Sequence, residues 1–215
     1  MAEQKAYLDK EGTAYLWGKI KETFKQKEVT ATISVSPSLF EKGVSTSVKV
    51  SWASKLDGSQ VTPDPDSTSV FQGDDYVISQ TANSSTTVTI SDTTKFTYTT
   101  TVNGTTKSAT ATATAVYPMY FGSSANSTLT SDNVLAMTKQ AIKSSPAGSY
   151  SVAVSASQYM WLCVPSTMTI NKVTSSGFDV PLEAAATVSV TGKTTYKCYR
   201  SSSTYVAGTV NIVIS

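Results

Sequence analysis

The acidic pairs in "PDPD" (Asp64 and Asp66) and "GDD" (Asp74 and Asp75) are the nearest this 215-residue chain comes to a reaction centre. Two carboxylates could serve a glycosidase as acid and nucleophile, or hold a calcium ion. Both pairs, however, lie in Pro/Gly-rich turns, where Asp is favoured because its side chain bonds nearby backbone N–H groups. Turn formation is therefore the primary reading, with an ion site and then a carbohydrate-active enzyme behind it. The chain contains no histidine. That removes Ser-His and Cys-His nucleophile pairs, the usual zinc ligand sets and the commonest general base. No phosphate-cradling glycine loop and no nucleophile elbow occurs. We therefore expect no enzyme, no cofactor and no metal.

The two cysteines, Cys163 and Cys198, lack CxxC spacing. Buried free thiols are favoured over a disulfide, which would need an oxidising compartment and a particular strand pairing. Ser and Thr make up about 31 % of the chain, far above ordinary usage. Charged residues are 15 % and the net charge is +2, which predicts neither nucleic-acid binding nor membrane insertion. Three Asn-x-Ser/Thr triplets, at Asn83, Asn103 and Asn126, are expected by chance in so Ser/Thr-rich a chain. The opening "MAEQKAYLDKEG" is charged where a secretory signal would be apolar, so synthesis and folding in a cytoplasm is expected.

These residues must be positioned by three kinds of segment. Residues 10–24 predict an amphipathic helix capped by Asp9, with Thr13, Leu16, Trp17, Ile20 and Phe24 on one apolar stripe. So short a helix is marginal in water and needs a surface to dock on. From residue 29 the period changes to two. Strands are predicted over 29–36, 44–53, 67–71, 75–80, 86–91, 94–102 and 105–116, separated by Pro, Gly, Asp and Asn turns. In "TVNGTT", Asn103-Gly104 supplies the two positive-φ residues of a type I′ hairpin turn. Seven short strands with Trp52 on the second predict an immunoglobulin-like sandwich without the usual cysteine pair.

Beyond Pro118, "SDNVLAMTKQAIKSS" predicts a helix over 132–144 capped by Ser131 or Asp132. Strands follow in "SYSVAVSAS", "QYMWLCVP", "MTINKVTS", "FDVPLEAAATVSV", "TTYKCYRSSS" and "AGTVNIVIS". The run Met160–Val164, apolar on both faces, predicts a central strand covered from both sides. The fold class is mainly β: an N-terminal helix over 1–27, an Ig-like sandwich over 28–116 and a second β-rich domain with one short helix over 117–215. Tyr159, Trp161 and Cys163 share a strand face, as do Tyr196, Cys198 and Arg200. Core packing accounts for most of these aromatics. "CYRSSSTYVAG", with Tyr199, Arg200 and Tyr205, is the stretch best suited to surface recognition.

Several of these segments resemble a known family. "YLDKEGTAYLWGKIKETF" resembles an N-terminal segment, Leu-Asp-x-x-Gly-x-x-Tyr-Leu-Trp-x-Lys-Ile-Lys, that recurs in virion structural proteins of tailed phages of gut bacteria. "SPSLFEKG…VKVSW" followed by "AVYPMYFG" resembles the Ig-like repeat and exit of such appendage proteins, and "QYMWLCVPSTMTINKVTSSGFDVPLE" is similar to their C-terminal β domains. Together these cover about a third of the chain, and none is a catalytic motif. The resemblance implies a head or tail fibre or decoration protein, assembled in the host cytoplasm into the virion, oligomeric and most often trimeric. Its partners would be sister helices or a capsid or tail protein at Thr13, Leu16, Trp17, Ile20 and Phe24, and host-surface glycans at the outer β domain. The bland alternative for the helix is docking on the chain's own sandwich. The alternative function is a bacterial surface or secreted Ig-like adhesin module.

Overall fold

The computed structural model describes residues 10–23, 27–74 and 76–215. Helix α1 (Lys10–Thr23) precedes strands β1 (Val29–Ser36), β2 (Leu39–Glu41), β3 (Thr46–Leu56), β4 (Ser59–Gln60), β5 (Ser69–Gln72), β6 (Tyr76–Ser79), β7 (Ser84–Ile90), β8 (Thr94–Val102) and β9 (Thr105–Val116). Then come β10 (Tyr120–Ser124), helix α2 (Ser131–Leu135), β11 (Thr138–Lys139), β12 (Gly148–Val154), β13 (Gln158–Pro165), β14 (Val173–Ser175), β15 (Phe178–Asp179), β16 (Ala186–Ser189), β17 (Thr195–Tyr205) and β18 (Gly208–Ile214). The architecture is mainly β, with one N-terminal and one small internal helix, as expected. Among the described residues no helix is long and apolar enough to cross a membrane.

Four sheets result. Strands β1, β3 and β4 form one, with β7 also paired to β3; a second has the order β2-β9-β8-β5-β6. A third runs β11-β10-β13-β17-β16 and a fourth β12-β18-β14-β15. Backbone proximity groups the chain into two compact units. The first takes residues up to Ser34 with Ser51–Ser85 and Thr97–Thr110; the second takes Val35–Val50, Thr86–Phe96 and Ala111–Ser215.

In the first unit, period-two alternation turns Trp52 and Ser54 of β3 and Tyr98 and Thr100 of β8 inward. These strands belong to different sheets, so their contacts tie two layers together. Ser54 Oγ lies 2.8 Å from both Tyr98 Oη and Thr100 Oγ1, and the Trp52 and Tyr98 rings are 6.4 Å apart. The indole N–H of Trp52 donates to the Thr81 carbonyl at 2.7 Å. Buried polar groups are thereby paired, as a dry interior requires.

In the second unit, β13 is the middle strand of its five-stranded sheet and is buried along Met160–Pro165. Met160, Leu162 and Val164 face one core with Val152, Ile212 and Ile214 of the opposing sheet. Trp161 and Cys163 face a second core with Tyr120, Val134, Met137 and Tyr196. A strand covered on both faces has no room for polar residues, which is why this run lacks alternation.

Three expectations need correction. The helix predicted over 132–144 stops at Leu135. Met137 folds over Gly122, whose missing side chain leaves the space, and Thr138–Lys139 pairs with Tyr120–Phe121 as β11. Its cap is Thr130, not Ser131 or Asp132: the Thr130 side chain accepts from the Asn133 N–H while the Asn133 side chain bonds back to the Thr130 N–H. The third concerns the cysteines. Cys163 and Cys198 stand directly opposite in the β13–β17 register and form a buried disulfide, not free thiols. The proposed cap Asp9 lies outside the described residues.

Candidate functional site

Helix α1 forms where leucine, isoleucine, lysine and glutamate predominate over breakers, and it carries no buried residue. Thr13, Leu16, Trp17 and Ile20 are all exposed; Trp17 keeps 57 % of its surface. Phe24, the last residue assigned to the stripe, lies outside the described residues. Charged side chains flank the strip: Lys19 Nζ pairs with Glu22 at 3.2 Å, and Lys21 Nζ lies 5.6 Å from the centre of the Trp17 ring. A Leu, a Trp and an Ile at i, i+1 and i+4 (Leu16, Trp17 and Ile20) thus present an exposed apolar strip that no other element of the described chain buries.

The residues proposed for surface recognition do not share one surface. Tyr199 is buried in the core between the two C-terminal sheets, where its hydroxyl accepts from the Ile170 N–H at 3.2 Å. Arg200, its neighbour, points to the opposite face. Its guanidinium stacks on Tyr159 with 4.4 Å to the ring centre and reaches the Ser127 carbonyl at 3.5 Å. Tyr205 packs half-buried against the inter-sheet core, and burial pushes its phenol above the ordinary range. Alternation along β17 places consecutive residues on opposite faces, so Tyr199 and Arg200 cannot act on one ligand together.

The acidic turns have structural partners. Asp64 accepts the N–H of Asn103 at 2.9 Å through one oxygen and the N–H of Gly104 at 2.8 Å through the other. It thereby caps the hairpin turn whose residues have φ of 48° and 72°. Asp66 occupies a left-handed turn position with φ 53°. Asp74 is exposed and Asp75 lies outside the described residues. Among the described residues no three His, Cys, Asp or Glu side chains cluster as a metal site would require. An open cleft of about 470 Å³ on the outer face of β12 and β18 is lined by Ser149, Ser151, Asn211 and Val213 and holds no carboxylate.

No known protein family, curated protein or solved structure matches the chain. What the chain offers to partners must therefore be read from its own surface. On α1 the apolar side chains of Leu16, Trp17 and Ile20 are exposed together, whereas the strands bury apolar cores of their own. Sequence reasoning missed one charged cluster entirely: Glu41 between Lys139 and Lys193. Its members are 98 and 152 residues apart along the chain, and nothing local signals that they meet.

Proposed function

We propose that this protein is a non-enzymatic structural component of a tailed-phage virion, a head or tail appendage anchored by its N-terminal helix. The uncovered strip of Leu16, Trp17 and Ile20 on α1 carries the reading. A helix of this length is marginal alone, and burying a large apolar side chain contributes about 1.5–3 kcal/mol, so association completes it. Sister helices around a three-fold axis are the favoured partner, and a groove on a capsid or tail protein is the other. The Ser/Thr-rich β units then act as the projecting part, directed at host-surface glycans. The resemblance of the N-terminal segment to phage appendage proteins supports the same assignment.

The test has two arms. Sedimentation of the purified chain should give a trimer that Trp17→Ala and Leu16→Ala shift toward monomer. Deletion of residues 1–26 should leave a folded β protein that no longer enters phage particles. A deletion variant incorporated at the wild-type level would overturn the assignment. The disulfide between Cys163 and Cys198 favours a second reading, a bacterial surface or secreted adhesin, because such bonds persist in oxidising compartments. Mass spectrometry of purified virions against the cell-surface fraction of the host separates the two.

A further inference from the structure

In the second unit the carboxylate of Glu41, the last residue of β2, sits between two ammonium groups. One oxygen accepts from Lys193 at 2.7 Å and the other from Lys139 at 3.0 Å. The Glu41 side chain keeps only 13 % of its surface; Lys193 is largely covered and Lys139 half exposed. The three come from separate pieces of chain. Strand β2 pairs in parallel with the end of β9, Glu41 opposite Val116. Lys139 lies on β11 beside β10, and Lys193 in the turn between β16 and β17. These pieces surround the stretch that joins β9 to β10. There the Tyr196 hydroxyl donates to the Pro118 carbonyl at 2.8 Å, and the Gln140 N–H to the Met119 carbonyl at 2.9 Å.

From this geometry we propose that Glu41 is an acid-released latch. Its carboxylate holds β11 and the β16–β17 turn against the end of β2, and its protonation frees both while the sandwich behind them stays folded. The charges explain why one proton suffices. Among the described residues Glu41 is the only carboxylate within ion-pair distance of Lys139 or Lys193. Neutralising it removes both attractions at once and leaves the part-buried Lys193 ammonium without a counter-charge, which is costly to the extent that water is kept from it. The other groups facing the cluster are the phenols of Tyr117, Tyr120 and Tyr196 and, one residue on, Lys42, which pairs with Asp92 and lies 5.9 Å from the Tyr117 ring centre. Phenols and ammonium groups titrate far above the acid range. Asp92 does titrate in acid, but it bonds Lys42 and the Thr93 N–H, not the latch lysines.

The sign follows from the shift. Burial pushes the Glu41 carboxyl up, but the hydrogen bonds and charges of Lys193 and Lys139 outweigh it and hold the group below its ordinary value of 4.5. A carboxyl with a lowered folded pKa contributes its stabilisation in full above the ordinary value and loses it as pH falls through the folded one. Hydrogen exchange on the full chain from pH 7 to pH 2.5 (about the carboxyl titration range), expressed as protection factors, tests the latch. The amides of Gln140 and Lys193, bonded to the Met119 and Val190 carbonyls, should lose protection at least about tenfold in acid, the scale of one broken charged contact. In Glu41→Gln they should already be open at pH 7, while amides in the β12–β18 pairing keep wild-type protection. Equal loss in β12–β18, or unchanged Gln140 and Lys193 amides in Glu41→Gln at pH 7, would overturn the proposal. Lys139→Gln, a change at the exposed partner, should fold and move the acid opening to higher pH; an unmoved opening would count against the latch as well.

Discussion

At the scale of single residues, hydrogen-bond satisfaction decides most of what is testable. Ser54 is fully buried and its hydroxyl serves both Tyr98 and Thr100. Ser54→Ala leaves two buried hydroxyls short of a partner, a loss expected at about 1–3 kcal/mol in unfolding free energy. Urea titration followed by tryptophan fluorescence would measure it, and an unchanged midpoint would refute this account of the layer contact. That Trp52 is core was legible from its place in an alternating strand. That Ser54, two residues on, is equally buried was not, because serine alone does not reveal whether a partner waits inside. The same holds for Tyr199 and Arg200. Both read as surface aromatics and cations in a Ser-rich run, yet only the packing of a second sheet against β17 shows that one of them lies in the core.

At the scale of elements, local chemistry predicts well wherever it acts alone. The Asn103-Gly104 turn is present with both residues at positive φ, since few other residue pairs accept that geometry. Gly104→Ala should cost about 1–3 kcal/mol through backbone strain. Asp64→Ala should cost about 1 kcal/mol by freeing two turn N–H groups near solvent. The pair should be less than additive, because both changes loosen the same turn; a double-mutant cycle read by thermal unfolding checks this. Strands 29–36, 94–102 and 105–116 have the predicted bounds. The helix over 132–144 does not. Its apolar spacing was genuine, but Met137 filling the space over Gly122 and β11 pairing with β10 outcompete helical propensity of a few tenths of a kcal/mol per residue.

At the scale of the molecule, long-range pairings carry the stability that local patterns leave out. The Cys163–Cys198 bond joins neighbouring strands and closes a loop with a sequence separation of 35. By loop-closure entropy, its removal should destabilise the second unit by about 3–4 kcal/mol. Scanning calorimetry of a Cys163→Val/Cys198→Val variant should show a melting temperature lower by roughly 6–15 °C. A fall of less than about 2 °C would mean that the β13–β17 pairing holds without the cross-link.

The sequence alone determined what depends on neighbours along the chain. Period-two alternation dictated strands, Asn-Gly dictated a hairpin, the unbroken apolar run of Met160–Val164 dictated a central strand, and 3–4 spacing dictated an amphipathic N-terminal helix. Only the tertiary structure decided the disulfide, the short α2, the separation of Tyr199 from Arg200 and the Glu41 latch. Each of these is set by register and by which sheet covers which, and those are contacts between residues as far as 152 positions apart. No local signal encodes them, because their energies arise only after the chain has closed those loops.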